Sequence, residues 1–296
     1  MMLTPHQMKI YILAPDNLYL FTMRNYILLA VLCLILSCKS NTKQSSKDST
    51  LIAGNIERSD LLIKKFKSLL QGTWVNKTYI DKVAKTKSPL AAVNEAEGMS
   101  SFSINTSEMK GDSIIVPVGW DNHDGSNLTL SFKSSKRPSS LIFGAGELSV
   151  AVNHGDTIIT VYYPYDKGQV KATQFIKANS KEIMQIADGM YRIINKVLIA
   201  GTYNLQDTTA NSVVVFGIDG KVKGFESFKN YVINIDLNSD AMDNLDEIGF
   251  DDDARHHKSY SFKFDADTLK LYDTKPNADS SLLILDKLRY KLVRKR

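Results

Sequence analysis

The residues best suited to bind a metal ion lie in an acidic stretch near the C-terminus, residues 236–259. Within it, Asp251 and Asp253 precede the adjacent pair His256 and His257. Carboxylate and imidazole groups this close together are possible ligands for a cation. The alternative is a solvated charged loop whose acids are balanced by neighbouring basic residues, and charge runs are usually of that kind. The charge pattern favours the solvated loop, and a site in this protein is expected here first because long charged loops often carry function.

A second group of acids surrounds His123 in the sequence WDNHDGSN, residues 120–127. Asp121 and Asp124 flank the histidine, and Asp-x-x-Asp-Gly superficially resembles a calcium-binding loop. The segment lacks the oxygen ligands at alternate positions and the distal glutamate of an EF-hand loop. A solvated turn is therefore the favoured interpretation.

Motifs for nucleophilic or zinc-dependent catalysis are absent from the sequence: it contains no Gly-x-Ser-x-Gly, Ser-x-x-Lys or His-Glu-x-x-His. The segment FGAGELS, residues 143–149, lacks the third glycine of a dinucleotide-binding loop. The 37 basic and 32 acidic residues are mixed along the chain, without the basic block expected of a nucleic-acid binder. We therefore expect neither enzymatic activity nor a cofactor, and no binding of nucleic acid.

The N-terminal region contains a short apolar segment that ends at Cys38. Residues 25–38 carry no charge, which is too short for a bilayer span of roughly 20 residues. A basic start at Arg24, a short apolar core and the small Ser37 before the cysteine predict a signal peptide over residues 23–38. Residues 1–22 would then be an extension that is not native to the mature protein, with Met23 as the favoured start and Met8, which Lys9 follows, as the alternative. Residues 39–60 begin rich in Lys, Ser and Thr and predict a flexible tether.

The end of this segment, Ile35-Leu36-Ser37-Cys38, resembles the lipobox of bacterial lipoproteins. The resemblance implies lipid attachment at Cys38 and a location in the cell envelope. The residue after the cysteine is Lys39 rather than aspartate. Within that family this implies the outer membrane, with the domain facing the periplasm. Because the only other cysteine, Cys33, lies inside the signal, the mature protein would have no disulfide.

The body of the chain contains an internal repeat. LLIKKFKSLLQGTWVNKTY (61–79) corresponds to YRIINKVLIAGTYNLQD (191–207): each is an amphipathic helical pattern that leads directly into Gly-Thr-aromatic. A second correspondence joins SVAVNHGDTIITVYY (149–163) to SFKFDADTLKLYD (261–273). The two correspondences occur in the same order along the chain, which predicts two tandem repeats, residues 61–180 and 181–296.

Most of the remaining sequence is typical of β-strands. Asp219-Gly220 between two apolar segments predicts a hairpin, and SIIVPVGW (113–120), NLTLSFK (127–133) and SSLLILDKLRYKLVRK (280–295) predict further strands. The expected fold is all-β with short helices. It is either two tandem antiparallel barrels, each opened by an amphipathic helix, or one barrel or sandwich built from both repeats.

The opening of each repeat resembles that of lipocalins, in which a short helix leads into Gly-x-Trp on the first strand. Gly72 and Trp74 match this motif, and Gly201 and Tyr203 match it with tyrosine in place of tryptophan. In lipocalins a basic residue of the last strand packs over the tryptophan, and Lys177 and Arg294 are the residues that the resemblance assigns to that role. Aromatics in such positions usually belong to the core, so we assign Trp74 and Tyr203 to structure.

Three functions are compatible with these features. The resemblance implies a lipid-anchored module that binds a small apolar or amphipathic ligand, or an envelope partner. The alternative is a structural or interaction lipoprotein whose barrels are filled by their own side chains and which acts through its surface. An uncharacterised envelope enzyme is the third, and no catalytic constellation supports it.

Overall fold

The structure is a computed structural model of the 296-residue chain. It describes residues 47–165, 168–178, 185–206, 212–237, 242–251 and 257–295, with side chains from Ser59 onward. Residues 51–296 form one compact unit. Cys38, the predicted signal peptide and the N-terminal extension lie outside the described residues, as do Asp253 and His256.

The first half of the compact unit is a closed antiparallel barrel of eight strands, each paired with its neighbours along the chain. Helix α1 (Lys47–Leu70) precedes it. The strands are β1 (Gly72–Asn76), β2 (Met99–Ile104), β3 (Ser113–Trp120), β4 (Asp124–Ser134), β5 (Ser140–Phe143), β6 (Gly146–Asn153), β7 (Asp156–Pro164) and β8 (Val170–Lys177). Helix α2 (Lys77–Thr86) and a 3-10 helix (Leu90–Ala96) lie between β1 and β2, and a second 3-10 helix (Thr106–Glu108) precedes β3. Pairing of β1 with β8, in which Trp74 faces Lys177, closes the barrel.

The interior of this barrel is occupied by its own side chains. Strand residues that alternate toward the axis form one hydrophobic cluster, in which five aromatic side chains have no exposed surface: Trp74, Phe102, Phe132, Phe143 and Phe175. The ring of Phe102 lies 5.5 Å from that of Phe143 and 4.8 Å from that of Phe175, between centroids. Helix α1 contributes Phe66 and Leu70 to the same cluster. The core therefore fills the space that a lipocalin would offer to a ligand.

The second half begins with helix α3 (Ile186–Leu198) and continues as an eight-stranded antiparallel sheet. Its strands are β9 (Gly201–Gln206), β10 (Val213–Phe216), β11 (Val222–Lys223), β12 (Tyr231–Ile233), β13 (Glu247–Phe250), β14 (Lys258–Asp265), β15 (Thr268–Pro276) and β16 (Leu283–Arg294). The order is β11-β10-β9-β16-β15-β14-β13-β12, so that the first and last strands of this half are neighbours. Because the closed barrel uses only strands of the first half, a single barrel shared by both repeats is wrong.

The two halves repeat one detailed arrangement at their openings. Nε1 of Trp74 donates a hydrogen bond to the carbonyl of Leu70 at 2.8 Å, and the hydroxyl of Tyr203 donates to the carbonyl of Ile199 at 2.7 Å. In both halves the acceptor precedes the aromatic residue by four positions and belongs to the end of the preceding helix. Each aromatic side chain therefore ties the first strand to its helix.

The basic residues of the last strands complete this arrangement. Nζ of Lys177 lies 5.2 Å from the ring centroid of Trp74, and Cζ of Arg294 lies 5.2 Å from that of Tyr203. Arg294 also donates hydrogen bonds to the Tyr203 hydroxyl, at 2.6 and 3.1 Å. A Cβ atom on Gly72 would stand 3.0 Å from Cε of Lys177, so glycine makes room for the cation. The prediction that Lys177 and Arg294 pack over these aromatics is confirmed.

Two sequence expectations need correction. Helix α1 starts at Lys47, so residues 47–60 of the predicted tether 39–60 are helical. Gly54 and Asn55 are poor helix formers, so residues 47–60 are helical as the continuation of a helix whose Phe66 and Leu70 are buried in the barrel core. The acidic stretch 236–259 is also not a continuous loop, because it contains β13, whose Ile248 and Phe250 are buried in the core.

Candidate functional site

Helix α3 of the second half lies against the outside of the first barrel. Most strands of that barrel alternate between buried and exposed residues, but all residues of β1 and β2 are buried. Their outward side chains include Thr73 and Val75, and Val75 belongs to the same hydrophobic cluster as α3. A Cβ atom built on Gly189 of α3 would overlap Cγ2 of Thr73. The absence of a side chain at Gly189 therefore lets the helix backbone rest directly on β1.

A cleft runs between the start of α3 and the outer face of β2 and β3; we call it the inter-half cleft. It consists of two adjacent cavities of about 490 and 210 Å³, both lined by Ile186 and Ala187. The larger cavity is also lined by Ser103, Asn105, Glu108, Ile115, Pro117 and Gln185. The smaller is also lined by Ser100, Ser101, Gly119, Asn122, His123, Asp124, Gly125, Met190, Tyr191 and Ile235. No lysine or arginine occurs among the described lining residues.

Gly119 on β3 allows the close approach of the two halves at the smaller cavity. A Cβ atom there would stand 2.7 Å from Oγ of Ser101 and 3.4 Å from Cγ2 of Ile186. Toward the larger cavity the outward residues of β3 become apolar, and the side chain of Ile115 is 59% exposed. Both cavities nevertheless mix polar and apolar surface, since Glu108 and Gln185 lie beside Ile115 in the larger one and Met190 lies beside His123 in the smaller one.

A hydrogen bond between the two halves lies at the smaller cavity. Nδ1 of His123, in the turn between β3 and β4, lies 2.8 Å from Oδ2 of Asp236, which follows β12. The hydrogen bond and negative charge of Asp236, together with the charge of Asp124, raise the pKa of His123 above its ordinary value. Both side chains are partly exposed, and of the two His123 lines the smaller cavity.

A buried polar contact lies next to this pair. The hydroxyl of Tyr79, whose residue is 1% exposed, hydrogen-bonds to the side chain of Asn122. Burial and then the charge of Asp246 raise the pKa of Tyr79, against the opposing effect of this hydrogen bond.

Asp246 makes a further polar contact between the halves. Its Oδ1 accepts a hydrogen bond from the backbone N–H of Leu90 at 2.9 Å. Burial raises the pKa of Asp246, against the opposing effect of hydrogen bonds from Ser88 and Leu90. This carboxylate therefore holds the loop after α2 against the second half.

The residues first considered for a metal site have other partners where they are described. Oδ1 of Asp251 accepts hydrogen bonds from the backbone N–H groups of Lys229 and Asn230, both at 2.8 Å. Nε2 of His257 lies 2.8 Å from the Ser259 hydroxyl. Asp253 and His256 lie outside the described residues. Within the part of the chain that the structure describes, no group of three or more His, Cys, Asp or Glu side chains is placed to hold a metal ion.

The acids around His123 also take separate roles. Oδ1 of Asp121 accepts a hydrogen bond from the backbone N–H of Gly98 at 2.5 Å, whereas Asp124 begins β4 and lines the cleft. The sequence predicts a solvated turn at His123 and gives no indication of Asp236, which is 113 positions away. Only the folding of the two halves against each other brings this pair together.

No protein-family model matches this chain. Comparisons with curated proteins and with solved structures also find no match. Among the described helices, none has the length and apolar character needed to cross a bilayer.

The inter-half cleft combines the properties of a small-molecule site. It is concave, and in both cavities polar side chains lie beside apolar ones. Ligand sites in proteins are typically built in this way and often lie between domains.

Proposed function

We propose that this protein is a lipid-anchored lipoprotein of the cell envelope that binds a small amphipathic ligand in the inter-half cleft. The observation that carries the proposal is the contrast between two spaces. The barrel interior is filled by aromatic side chains such as Trp74, Phe102 and Phe175, whereas the cleft outside β2 and β3 is open. The binding role expected from the lipocalin resemblance is thereby assigned to the outside of the barrel.

Anchoring rests on the sequence around Cys38. In the proposal, acyl chains on Cys38 hold the protein in the outer membrane, with residues 51–296 facing the periplasm. Metabolic labelling with a palmitate analogue should label the wild-type chain and leave Cys38→Ser unlabelled. Equal labelling of both proteins would exclude this residue as the attachment site.

The second half is, in the same proposal, a second lipocalin-like barrel. Its edge strands β11 and β12 are linked by a bridge between Lys221 and Asn230. The N–H of Tyr231 donates to the Gly220 carbonyl at 2.6 Å, and the N–H of Val222 donates to the Lys229 carbonyl at 2.8 Å. These bonds support closure of the sheet along this seam.

Binding in the cleft is testable with an environment-sensitive apolar dye and a soluble chain of residues 47–296, which contains the compact unit. Ala187→Trp would fill the cleft, because Ala187 lines both cavities. Ala151→Trp on β6 is the matched control, since it replaces another exposed alanine away from the cleft. We expect dye fluorescence to rise with wild type and with Ala151→Trp and to stay low with Ala187→Trp. Binding that survives in Ala187→Trp would place the site elsewhere.

A second candidate function is that of a structural or interaction lipoprotein, which contacts a partner through its surface. It is favoured by the hairpin of β15 and β16, on which Leu282, Ile284 and Leu288 are 41–47% exposed. Leu288→Lys should then abolish cross-linking of the protein to its envelope partner in intact cells, with Leu61→Lys as the control for another exposed leucine. Unchanged cross-linking would exclude the hairpin as a contact surface.

A further inference from the structure

We propose that a second cavity, which lies within the second half, binds the carboxamide group of a small uncharged ligand. This cavity, which we call the α3 cavity, has a volume of about 260 Å³. It is formed by one face of α3, by residues 218–220 in the turn between β10 and β11, and by the start of β12. Of its described lining residues only Tyr191 also lines the inter-half cleft. The inference therefore goes beyond the proposed function and does not depend on it.

The α3 cavity is lined by a buried side chain with an unpaired acceptor. Asn195 is 3% exposed, and its Nδ2 points to the carbonyl oxygen of Ile218 at 3.5 Å. Its Oδ1 has no hydrogen-bond partner among the described residues. Exchange of the two amide atoms would set Oδ1 against the Ile218 carbonyl, so the orientation with Oδ1 unpaired is the favourable one. An unpaired buried acceptor is costly, and a ligand that donates a hydrogen bond to it removes that cost.

The first half shows that the fold does not require an asparagine at this place. The residue six positions before the Gly-Thr-aromatic motif is Asn195 in the second half and Phe66 in the first. Phe66 is buried in the core of the first barrel. Arg192 corresponds in the same way to Ile63, which packs against that core. The second half thus carries two polar side chains on a helix face where the first half uses apolar packing.

Arg192 supplies hydrogen-bond donors next to this acceptor. It lines the α3 cavity and, among the described residues, takes part in no ion pair or side-chain hydrogen bond. Residues three positions apart on a helix lie side by side, so Arg192 and Asn195 face the same ligand. A guanidinium group donates hydrogen bonds, whereas Oδ1 of Asn195 accepts them. A carboxamide complements both, since its oxygen accepts from Arg192 while its N–H donates to Asn195.

The other charges at the α3 cavity oppose the binding of a free ion. Asp188 and Asp219 also line it, and Asp219 accepts a hydrogen bond from the backbone N–H of Lys221 at 3.3 Å. The two carboxylates disfavour an anion at Arg192. The guanidinium of Arg192 in turn disfavours a cation at Asn195, where a buried charge would also lose its hydration. An uncharged ligand is therefore favoured over both kinds of ion.

Apolar side chains beside these groups accommodate the rest of a small ligand. Ile218 and Val232 line the α3 cavity, as does Tyr231, whose hydroxyl already donates to the Gly217 carbonyl at 2.7 Å. Its volume lies below the roughly 300 Å³ at which pockets for drug-sized ligands begin, so the ligand is small. Benzamide, which joins one flat apolar ring to a carboxamide, is a suitable probe.

The test is isothermal titration of residues 47–296 with benzamide, acetophenone and benzoate, which have nearly the same size and shape. Acetophenone keeps the carbonyl oxygen and lacks the N–H, and benzoate offers only acceptors and carries a negative charge. We expect benzamide to bind about tenfold or more tightly than either, because both analogues leave Oδ1 of Asn195 unpaired.

Two substitutions separate binding from a structural role. Asn195→Leu should abolish the preference for benzamide over acetophenone. It should also raise the urea concentration at the unfolding midpoint, since an apolar side chain takes the place of an unpaired polar one. Arg192→Leu should weaken benzamide binding about tenfold. Lys196→Leu is the matched control and should bind as wild type does, because it removes an exposed cation of α3 that does not line the cavity.

The comparison of ligands on the wild-type protein keeps the test decisive even if a variant fails to fold. Equal affinities for benzamide and acetophenone would overturn the inference, and so would tighter binding of benzoate, which would identify an anion site at Arg192. A lower unfolding midpoint in Asn195→Leu would overturn it as well, by showing that the amide serves the fold. If none of the three compounds binds, the inference fails, while dye binding in the inter-half cleft is unaffected.

Discussion

Substitution of Gly189 by alanine tests whether α3 packs directly on the first barrel. The new Cβ atom would overlap Cγ2 of Thr73 and would stand 3.2 Å from its Cβ and 3.5 Å from Cβ of Ala178. Because both neighbours are fixed near the β1–β8 closure of the barrel, the helix has to move outward. Overpacking of this kind costs about 1–3 kcal/mol, and the severe overlap favours the upper end. Alanine regains about 1 kcal/mol through helix propensity, so the expected net loss is about 2 kcal/mol.

The assay is urea unfolding of residues 47–296, followed by the fluorescence of the two tryptophans, Trp74 and Trp120. A second substitution, Thr73→Ser, removes the overlapping methyl and keeps the hydroxyl that lies 3.1 Å from Oγ of Ser103. In the double variant the cost of Gly189→Ala should fall by about 1 kcal/mol or more, since contacting residues couple by amounts of this size.

Gly125→Ala is the control for a glycine that is not needed for close packing. The nearest atom to a Cβ there is the carbonyl oxygen of Val118 at 3.9 Å, an ordinary contact distance. Its unfolding free energy should change by less than about 0.5 kcal/mol. If Gly189→Ala is as stable as wild type, or if Thr73→Ser gives no relief, the helix does not rest on β1 as described.

Three further predictions concern pH and buried hydrogen bonds. Because the pKa of His123 is raised, the stabilising effect of its charge should be complete below about pH 6.5 and be lost as pH rises through the folded pKa. The difference in Tm between wild type and His123→Gln should therefore be larger at pH 5.5 than at pH 9, and an equal difference at both would contradict this. Asp246, whose pKa burial raises, stabilises most below its unfolded value of 3.8 and less as pH rises. Asp246→Asn, which keeps an oxygen for the N–H of Leu90, should accordingly match or exceed the Tm of wild type at pH 7. A variant that melts below wild type at pH 7 would contradict this. Trp74→Phe leaves the Leu70 carbonyl unpaired and should cost about 1–3 kcal/mol in urea unfolding, and a loss below about 0.5 kcal/mol would show that the hydrogen bond is unimportant.

The repeat and its strands could be predicted because they are encoded locally. At Gly72 and Gly201 the spacing of apolar residues changes from the 3.6-residue period of a helix to the alternation of a strand. Strand β3 coincides with the predicted segment 113–120. Lys177 and Arg294 were predicted from the lipocalin resemblance, as basic residues near the ends of the two repeats. Patterns that lie within one repeat, and that occur twice, are thus readable from a single sequence.

Two elements were missed although a local signal exists. Helix α2 follows β1 without a break and buries Tyr79, Ile80 and Val83, which have helical spacing. Strand β13 is only four residues long and lies within an acidic stretch. The surrounding charged residues therefore predicted a loop, although Ile248 is buried. Short elements with few apolar residues give patterns that composition easily obscures.

The candidate site could not be predicted because it arises from contact between the repeats. His123 and Asp236 belong to different halves, and neither lies in a motif that specifies the other. The cleft also depends on small residues such as Gly119 and Gly189, whose importance is visible only once α3 is placed. The acidic stretch around Asp251 attracted attention through its composition, whereas that carboxylate stabilises a turn.

The pairing of strands has a consequence for the order in which the chain folds. In the described residues no strand of one half pairs with a strand of the other, and every pair joins consecutive strands except β1–β8 and β9–β16. The average sequence separation of contacts is therefore low for a β-protein, which favours rapid folding. Each half has one strand pairing between residues far apart in the sequence, that of its first and last strands. The entropy cost of closing the chain between these strands grows only slowly with the number of residues. Lys177 over Trp74 and Arg294 over Tyr203 lie at these two closures, so each cation is placed to stabilise the pairing of the first and last strands of its half.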